Sequence, residues 1–235
     1  MNENTSSDLQ KVQSLLYKGQ AIKARKLCEK LLKRSNQDIV AWHLLGESYC
    51  QQNRFEEALP CLIKSCKLKP DYAAAHHGLA ITYLALDNLD DAEKYAELAV
   101  KLAPNNLQVI SNMGQIFYKK GDYFRAVIFI KRAALIGDLS INKWFLLANG
   151  LRKIGKIDEA LEIAEKLPNN SLERLEIEGE CYTHLNQYDK TLHCADEIAN
   201  TSNISLQALT LAVEFYRRVG EFDKAKSLIM RQGEY

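Results

Sequence analysis

Cysteine and histidine are the residues of this chain that could hold a metal ion, but their spacing does not suit one. Cys61 and Cys66 are five residues apart, and no second cysteine pair accompanies them. A structural zinc site needs four ligands, usually supplied as two closely spaced pairs. His43 and His77 are 34 residues apart at equivalent positions, with no third ligand nearby. We therefore predict core cysteines, exposed histidines, no metal site and no cofactor.

The carboxylates offer the next candidates for chemistry. Glu173, Glu176 and Glu180 recur at helical spacing and form an acidic stripe on one helix. Two carboxylates so close can raise a pKa, but on an open helix face they are normally solvated charge. The chain has no Gly-rich phosphate loop, no G-x-S-x-G turn and no paired-histidine motif. We do not expect an enzyme.

Composition limits the class of protein and of partner. The 31 Lys and Arg nearly balance the 30 Asp and Glu, so strong attraction to nucleic acid or to an anionic membrane is not indicated. Four Pro and eleven Gly favour helices joined by short turns. No apolar stretch approaches the roughly 18 residues of a membrane helix. The amino end shows no secretory signal and the six cysteines suit reduced thiols, so we expect a cytoplasmic protein.

Two residue series recur along the chain with the same intervals. In both series the interval is 34 residues, except for one shortened interval of 31 residues at the same place. The first series is Ala24, Ala58, Ala92, Ala126, Ala160, Thr191 and Ala225. The second series is Gly19, Asn53, Asp87, Gly121, Gly155, Asn186 and Gly220. Together they predict the repeats 5–38, 39–72, 73–106, 107–140, 141–171, 172–205 and 206–235.

Each series has a physical reason. The residue after a helix end is often left-handed, and Gly, Asn and Asp tolerate that backbone conformation best. The second series therefore predicts the turn between the two helices of each repeat. The alanine series predicts the point where those two helices cross closely, because a larger side chain would push them apart. A helix pair of this kind buries its apolar faces only by stacking on its neighbours.

The stretch from Trp42 to Pro70 resembles the tetratricopeptide repeat family. Trp42, Leu45, Gly46 and Tyr49 match the pattern W-x2-L-G-x2-Y, and Ala58 follows nine residues after the tyrosine. The resemblance implies an all-α fold, a right-handed α-solenoid of about seven helix-turn-helix repeats. We also expect Trp42 and Trp144 to be largely buried between neighbouring repeats.

The family resemblance also implies that the first helices line a concave groove that binds a partner protein or peptide. A peptide with an apolar or aromatic anchor and an acidic flank would suit the mixed side chains there. The lysine and asparagine pattern with which some members bind chaperone tails is absent from any three consecutive repeats. The candidate binding residues are His43, Glu47, His77, Ser111, Gln115, Tyr118, Lys119, Phe145, Asn149, Arg152 and Lys153.

The remaining predictions concern the two ends of the chain and two irregular sites. A polar first helix suits an amino-terminal cap, whereas helix 222–233 carries Phe222 and Ile229 with no polar helix after it. This end could pair with a second copy or a missing domain, so the alternative function is the amino-terminal recognition module of a larger bacterial sulfotransferase or glycosyltransferase. The shortened interval near Pro168 predicts a short second helix, and Glu178 should be partly exposed or paired.

Overall fold

In the computed structural model, residues 3–201 and 204–232 are described. Fourteen α-helices and no strand occur within them. The helices are α1 (Glu3–Tyr17), α2 (Ala21–Arg34), α3 (Ile39–Cys50), α4 (Phe55–Leu68), α5 (Ala73–Ala85), α6 (Leu89–Leu102), α7 (Leu107–Lys119), α8 (Tyr123–Ala134), α9 (Ile141–Lys153), α10 (Ile157–Ala164), α11 (Leu172–His184), α12 (Tyr188–Ala199), α13 (Leu206–Arg218) and α14 (Phe222–Gln232). The expected all-α architecture is confirmed.

The turns inside the helix pairs have the predicted backbone conformation. Every member of the Gly/Asn/Asp series has a positive φ, between 56° and 85°. The alanine series is buried in the crossings between paired helices, and its threonine substitute, Thr191, is buried as well. A further residue with positive φ, Asn170, was not predicted, because it lies in the shortened segment after α10 and outside the series.

The chain divides into two compact units, residues 1–121 and residues 122–235. Unit 1 contains α1 to α7 and unit 2 contains α8 to α14. Within each unit, consecutive helices pack together, and successive odd-numbered helices contact one another in both α1–α7 and α9–α13. The boundary between the units falls inside the predicted repeat 107–140, and the seven repeat limits stay a prediction.

Small residues allow the closest helix approaches. A Cβ atom added to Gly46 of α3 would lie 2.6 Å from Cγ of Leu62 on α4. In unit 2, a Cβ atom added to Gly179 of α11 would lie 2.4 Å from Cε2 of Phe215 on α13. Leu62 and Phe215 are both fully buried, so these glycines set the distance between the helices they join.

The two tryptophans differ from expectation. Both Trp42 and Trp144 are half-buried, not largely buried. Trp42 packs against the core of unit 1, but its indole Nε1 donates a hydrogen bond of 2.9 Å to the carbonyl of Asn36 in the exposed loop before α3. An indole N–H needs an acceptor, and this contact holds the polar edge of the ring at the surface.

The irregular sites behave as the sequence indicates. Helix α10 has only 8 residues, in agreement with the shortened interval. The carboxylate of Glu178 accepts a hydrogen bond of 2.7 Å from Nε of Arg174, one turn earlier on α11. At the carboxyl end, Phe222 and Ile229 are exposed, while Gly233 of the predicted helix lies outside the described residues.

Candidate functional site

A cavity of about 830 Å³ lies in unit 1, against α1, α3 and the start of α5. Helical spacing builds it, because residues four positions apart share one face of a helix. His43, Glu47 and Gln51 follow each other at that interval along α3 and its end, and Gln13 and Tyr17 do so on α1. Its polar and aromatic lining consists of Gln13, Ser14, Tyr17, His43, Glu47, Gln51 and Tyr72.

His43 lies in the cavity wall as a neutral ring. Burial lowers the pKa of His43 to about 4, and the nearby His77 acts in the same direction. Its ring meets the ring of Tyr72 edge-on, with 5.5 Å between centroids. The Nδ1 atom is buried and has no hydrogen-bond partner in the described chain. The expectation that His43 is exposed is therefore wrong, because α3 packs this side chain against Tyr72.

Glu47 is the one acidic or basic side chain, apart from the neutral His43, in the described lining of the cavity. Burial raises the pKa of its carboxyl group. Burial is the largest cause of the raised pKa values of Tyr72 and Cys50, and the charge of Glu47 adds to both shifts. Within residues 6–201 and 204–230, its carboxylate forms no ion pair and accepts no hydrogen bond from another side chain. Glu47 is thus a partly desolvated charge that faces the cavity without a partner.

Other predicted site residues of unit 1 are engaged within the unit. His77 Nε2 and Asn112 Nδ2 are 2.9 Å apart, which joins α5 to α7. Ser111 is buried, and its hydroxyl donates a hydrogen bond of 3.2 Å to the carbonyl of Gln108. This backbone acceptor satisfies the buried hydroxyl within α7.

Lys119 was predicted to meet an acidic flank of a ligand. Its ammonium group instead donates to Oδ1 of Asp87 at 2.9 Å, in an exposed ion pair. Gln115 and Tyr118, on the same helix, are half-buried. The charge of Lys119 is therefore balanced by the turn residue of the preceding helix pair.

Two of the predicted residues of unit 2, Asn149 and Arg152, belong to a hydrogen-bond network. Arg152 donates to Oδ1 of Asn149 at 2.8 Å and to Oε2 of Glu180 at 3.2 Å. Glu180 also accepts a hydrogen bond of 3.0 Å from Arg218, so the network joins α9, α11 and α13. Only 10% of the Arg152 side chain is exposed. Arg152 and Asn149 thus bond to each other, whereas Phe145 is half-buried and Lys153 is exposed.

The structure brings only two predicted residues, His43 and Glu47, to the cavity. Tyr72 was missed because it lies in the loop before α5, not on a first helix. Tyr17 and Gln51 lie on the same face of the first helices as the predicted residues, at the same helical spacing. They stand at the carboxyl ends of α1 and α3.

Metal binding and membrane insertion were checked for the described part of the chain. No group of three or more His, Cys, Asp or Glu side chains there could hold a metal ion. Burial raises the pKa of the Cys28 thiol to about 12 and that of Cys66 to about 11, which suits unreactive core thiols. Among the helices described, none combines the length and apolar character needed to cross a bilayer.

Comparison with known proteins agrees with this architecture. The family model described as TPR repeat matches residues 46–87, from the second half of α3 to the turn after α5. The chain is a tetratricopeptide repeat protein. A second model, described as anaphase-promoting complex, cyclosome, subunit 3, matches residues 87–167 of this tetratricopeptide repeat protein.

Curated relatives are similar over part of their length. The tetratricopeptide repeat protein is 26% identical over 188 residues to TPR repeat-containing protein MJ1428 of Methanocaldococcus jannaschii, covering 74% of this chain and 30% of that protein. It is 30% identical over 160 residues to human protein O-mannosyl-transferase TMTC1, covering 66% and 18%. It is 24% identical over 190 residues to anaphase-promoting complex subunit CDC16 of Saccharomyces cerevisiae, covering 62% and 23%. The chain thus spans less than a third of each of these relatives.

Solved structures share the fold. PilW, a widely conserved type IV pilus biogenesis factor, aligns with a TM-score of 0.76 at 15% identity, over 90% of this chain and 99% of PilW. The anaphase-promoting complex hetero-tetramer Cut9-Hcn1 aligns with a TM-score of 0.74 at 17% identity, over 90% of this chain and 42% of that chain. YrrB, a TPR protein with an unusual peptide-binding site, aligns with a TM-score of 0.65 at 17% identity, over 84% and 97%.

Proposed function

We propose that this tetratricopeptide repeat protein is a non-catalytic scaffold whose first helices bind a partner protein or peptide. The cavity of unit 1 carries the proposal, since α1, α3 and the loop before α5 direct two tyrosine rings, one carboxylate and two side-chain amides at one space. A concave site with rings for contact area and a few polar groups for orientation has the usual form of a recognition site.

Similar proteins support a partner of this kind. CDC16 is a subunit of the anaphase-promoting complex, Cut9-Hcn1 is a hetero-tetramer of that complex, and YrrB is described as having a peptide-binding site. These descriptions belong to those proteins, and they favour a protein or peptide partner in the proposal for this chain. A cytoplasmic location remains part of the same proposal.

Within the binding surface, we propose His43 and Glu47 as the centre of the site in unit 1, with Tyr17 and Tyr72 as its aromatic walls. The other predicted side chains remain proposed binding residues, each within its own unit. In unit 1 these are His77, Ser111, Gln115, Tyr118 and Lys119, and in unit 2 they are Phe145, Asn149, Arg152 and Lys153.

The alternative, a recognition module of a bacterial sulfotransferase or glycosyltransferase, is not favoured. One relative is a human O-mannosyl-transferase, but the match covers only 18% of that protein. Self-association through Phe222 and Ile229 has no support from the comparisons, although both side chains are exposed.

Site-specific photo-crosslinking tests the proposed function. The full chain would carry benzoylphenylalanine in place of Tyr17, at the rim of the cavity, and be exposed to an extract of its native host. A matched control places the same group at Phe124 of α8, which is also an exposed aromatic residue, at 65% against 94% for Tyr17. We expect a discrete protein adduct from position 17 alone. Equal labelling at both positions, or labelling only at position 124, would remove the cavity from the binding surface.

A further inference from the structure

The unit 1 cavity has an electrostatic feature that the proposed function does not explain. Its described lining holds an unpaired carboxylate, that of Glu47, and neither Lys nor Arg. Lys69 lies near the rim, with Nζ 6.0 Å from the centroid of the Tyr72 ring, but it forms no ion pair with Glu47 in the described chain. In an occupied cavity, the charge nearest to Glu47 would therefore be that of the occupant.

Three kinds of occupant can be compared on this basis. An apolar side chain would remove water from Glu47 and leave a buried charge with no partner, which is costly. An acidic side chain would add repulsion between like charges. A cationic side chain would pair with the carboxylate in a site partly shielded from water, where a charge-assisted hydrogen bond is stronger than at an open surface.

The remaining lining suits a cation as well. The rings of Tyr17 and Tyr72 can face a cationic group, and Tyr72 already has Lys69 over its ring. The buried Nδ1 atom of His43 has no hydrogen-bond partner in the described chain. A neutral imidazole has one donor and one acceptor nitrogen. In the tautomer that carries its proton on Nε2, the Nδ1 atom is an acceptor that an ammonium or guanidinium group could satisfy.

We infer that the unit 1 cavity binds a lysine or arginine side chain of a partner peptide, whose cationic end pairs with Glu47 between the rings of Tyr17 and Tyr72. This inference rests on the proposed function and specifies its ligand. It replaces the acidic flank expected from the sequence with a basic residue, since Lys119 and Arg152 are held in ion pairs of the chain itself.

Selection from a randomised 12-residue peptide library, displayed on phage and panned on the full chain, tests the inference. The same library would be panned on Glu47→Gln, which keeps the shape of the side chain and removes the charge. Glu56→Gln is the matched control, because Glu56 is an exposed glutamate of α4 and its substitution changes the net charge equally. We expect a Lys or Arg at one fixed position in the peptides that bind the wild-type chain and Glu56→Gln.

A double-mutant cycle then locates the contact. In a selected peptide, replacement of the fixed basic residue by norleucine should weaken binding at least tenfold, which corresponds to about 1.4 kcal/mol. The same replacement should change little when the chain carries Glu47→Gln, because the two groups then have no interaction left to lose. Circular dichroism of Glu47→Gln checks the fold, and Tyr17→Ser provides a second weakening variant at a side chain that is 94% exposed.

The outcomes separate this inference from the proposed function. Selected peptides without a fixed basic residue, equal losses in the two arms of the cycle, or no peptide enriched on the wild-type chain would each overturn the inference. None of these results would affect a protein adduct at position 17, which tests the proposed function independently. Failure of that crosslink together with a positive selection would instead show a cationic-peptide site that the native partner does not use.

Discussion

Replacement of Gly179 by Ala should destabilise unit 2, although alanine is the better helix former. The added Cβ would lie 2.4 Å from Cε2 and 2.5 Å from Cζ of Phe215, whose ring is fully buried. Overpacking of a tight core costs about 1–3 kcal/mol, and contacts this short belong at the upper end. Alanine recovers about 1 kcal/mol over glycine inside a helix. We therefore expect a net loss of about 1–2 kcal/mol in the free energy of unfolding.

A second helical glycine of unit 2 provides the control. A Cβ added to Gly150 would be 3.0 Å from Cγ2 of Val127, so a small shift of one methyl group accommodates it. Gly150→Ala should be neutral or slightly stabilising. Urea unfolding followed by circular dichroism would compare both variants with the wild-type chain. The combination Gly179→Ala with Phe215→Leu should cost less than the sum of its parts, since the smaller side chain makes room. A Gly179→Ala variant as stable as the wild type would refute the close approach of α11 and α13.

Three further predictions concern stability. Gly155→Val should cost about 1–2 kcal/mol in urea unfolding through backbone strain alone, because φ is 81° and no atom lies within 4 Å of the added Cβ. Trp42→Ala should lower the free energy of unfolding by about 2 kcal/mol, less than the 3–5 kcal/mol of a fully buried tryptophan. Burial lowers the pKa of Lys143 to about 8 from 10.5, so folding disfavours its charged form and stability should rise between those pH values. Lys143→Met should abolish this rise, as measured by thermal or urea unfolding across that pH range.

The turns could be predicted because their requirement is local. A left-handed residue after a helix end restricts the choice of side chain at that one position, and the restriction repeats with the helix pair. The turns at Gly155 and Asn186 could therefore be predicted without any knowledge of packing. Asn170 shares the conformation but lies in an irregular segment where no repeat interval points to it.

The site was less accessible to sequence reasoning because it depends on partners far along the chain. Helical spacing placed His43 and Glu47 on one face, but it did not indicate that Tyr72 would close the cavity from a loop. It also did not indicate that Arg152 forms a hydrogen bond with Glu180, 28 residues further along the chain. Such pairings are set by the stacking of helices, and they decide which charges remain free for a partner.

The charge network of unit 2 has a consequence for the kinetics of association. Two arginines, Arg152 and Arg218, are matched by two glutamates, Glu180 and Glu214, within contact distance. The fields of opposite charges this close largely cancel at a distance of about a Debye length. This network therefore contributes little to the long-range attraction of a charged partner. The unpaired Glu47 does project a field into solvent. Added salt should therefore slow the encounter of a basic peptide with unit 1, while the network of unit 2 leaves the encounter rate almost unchanged.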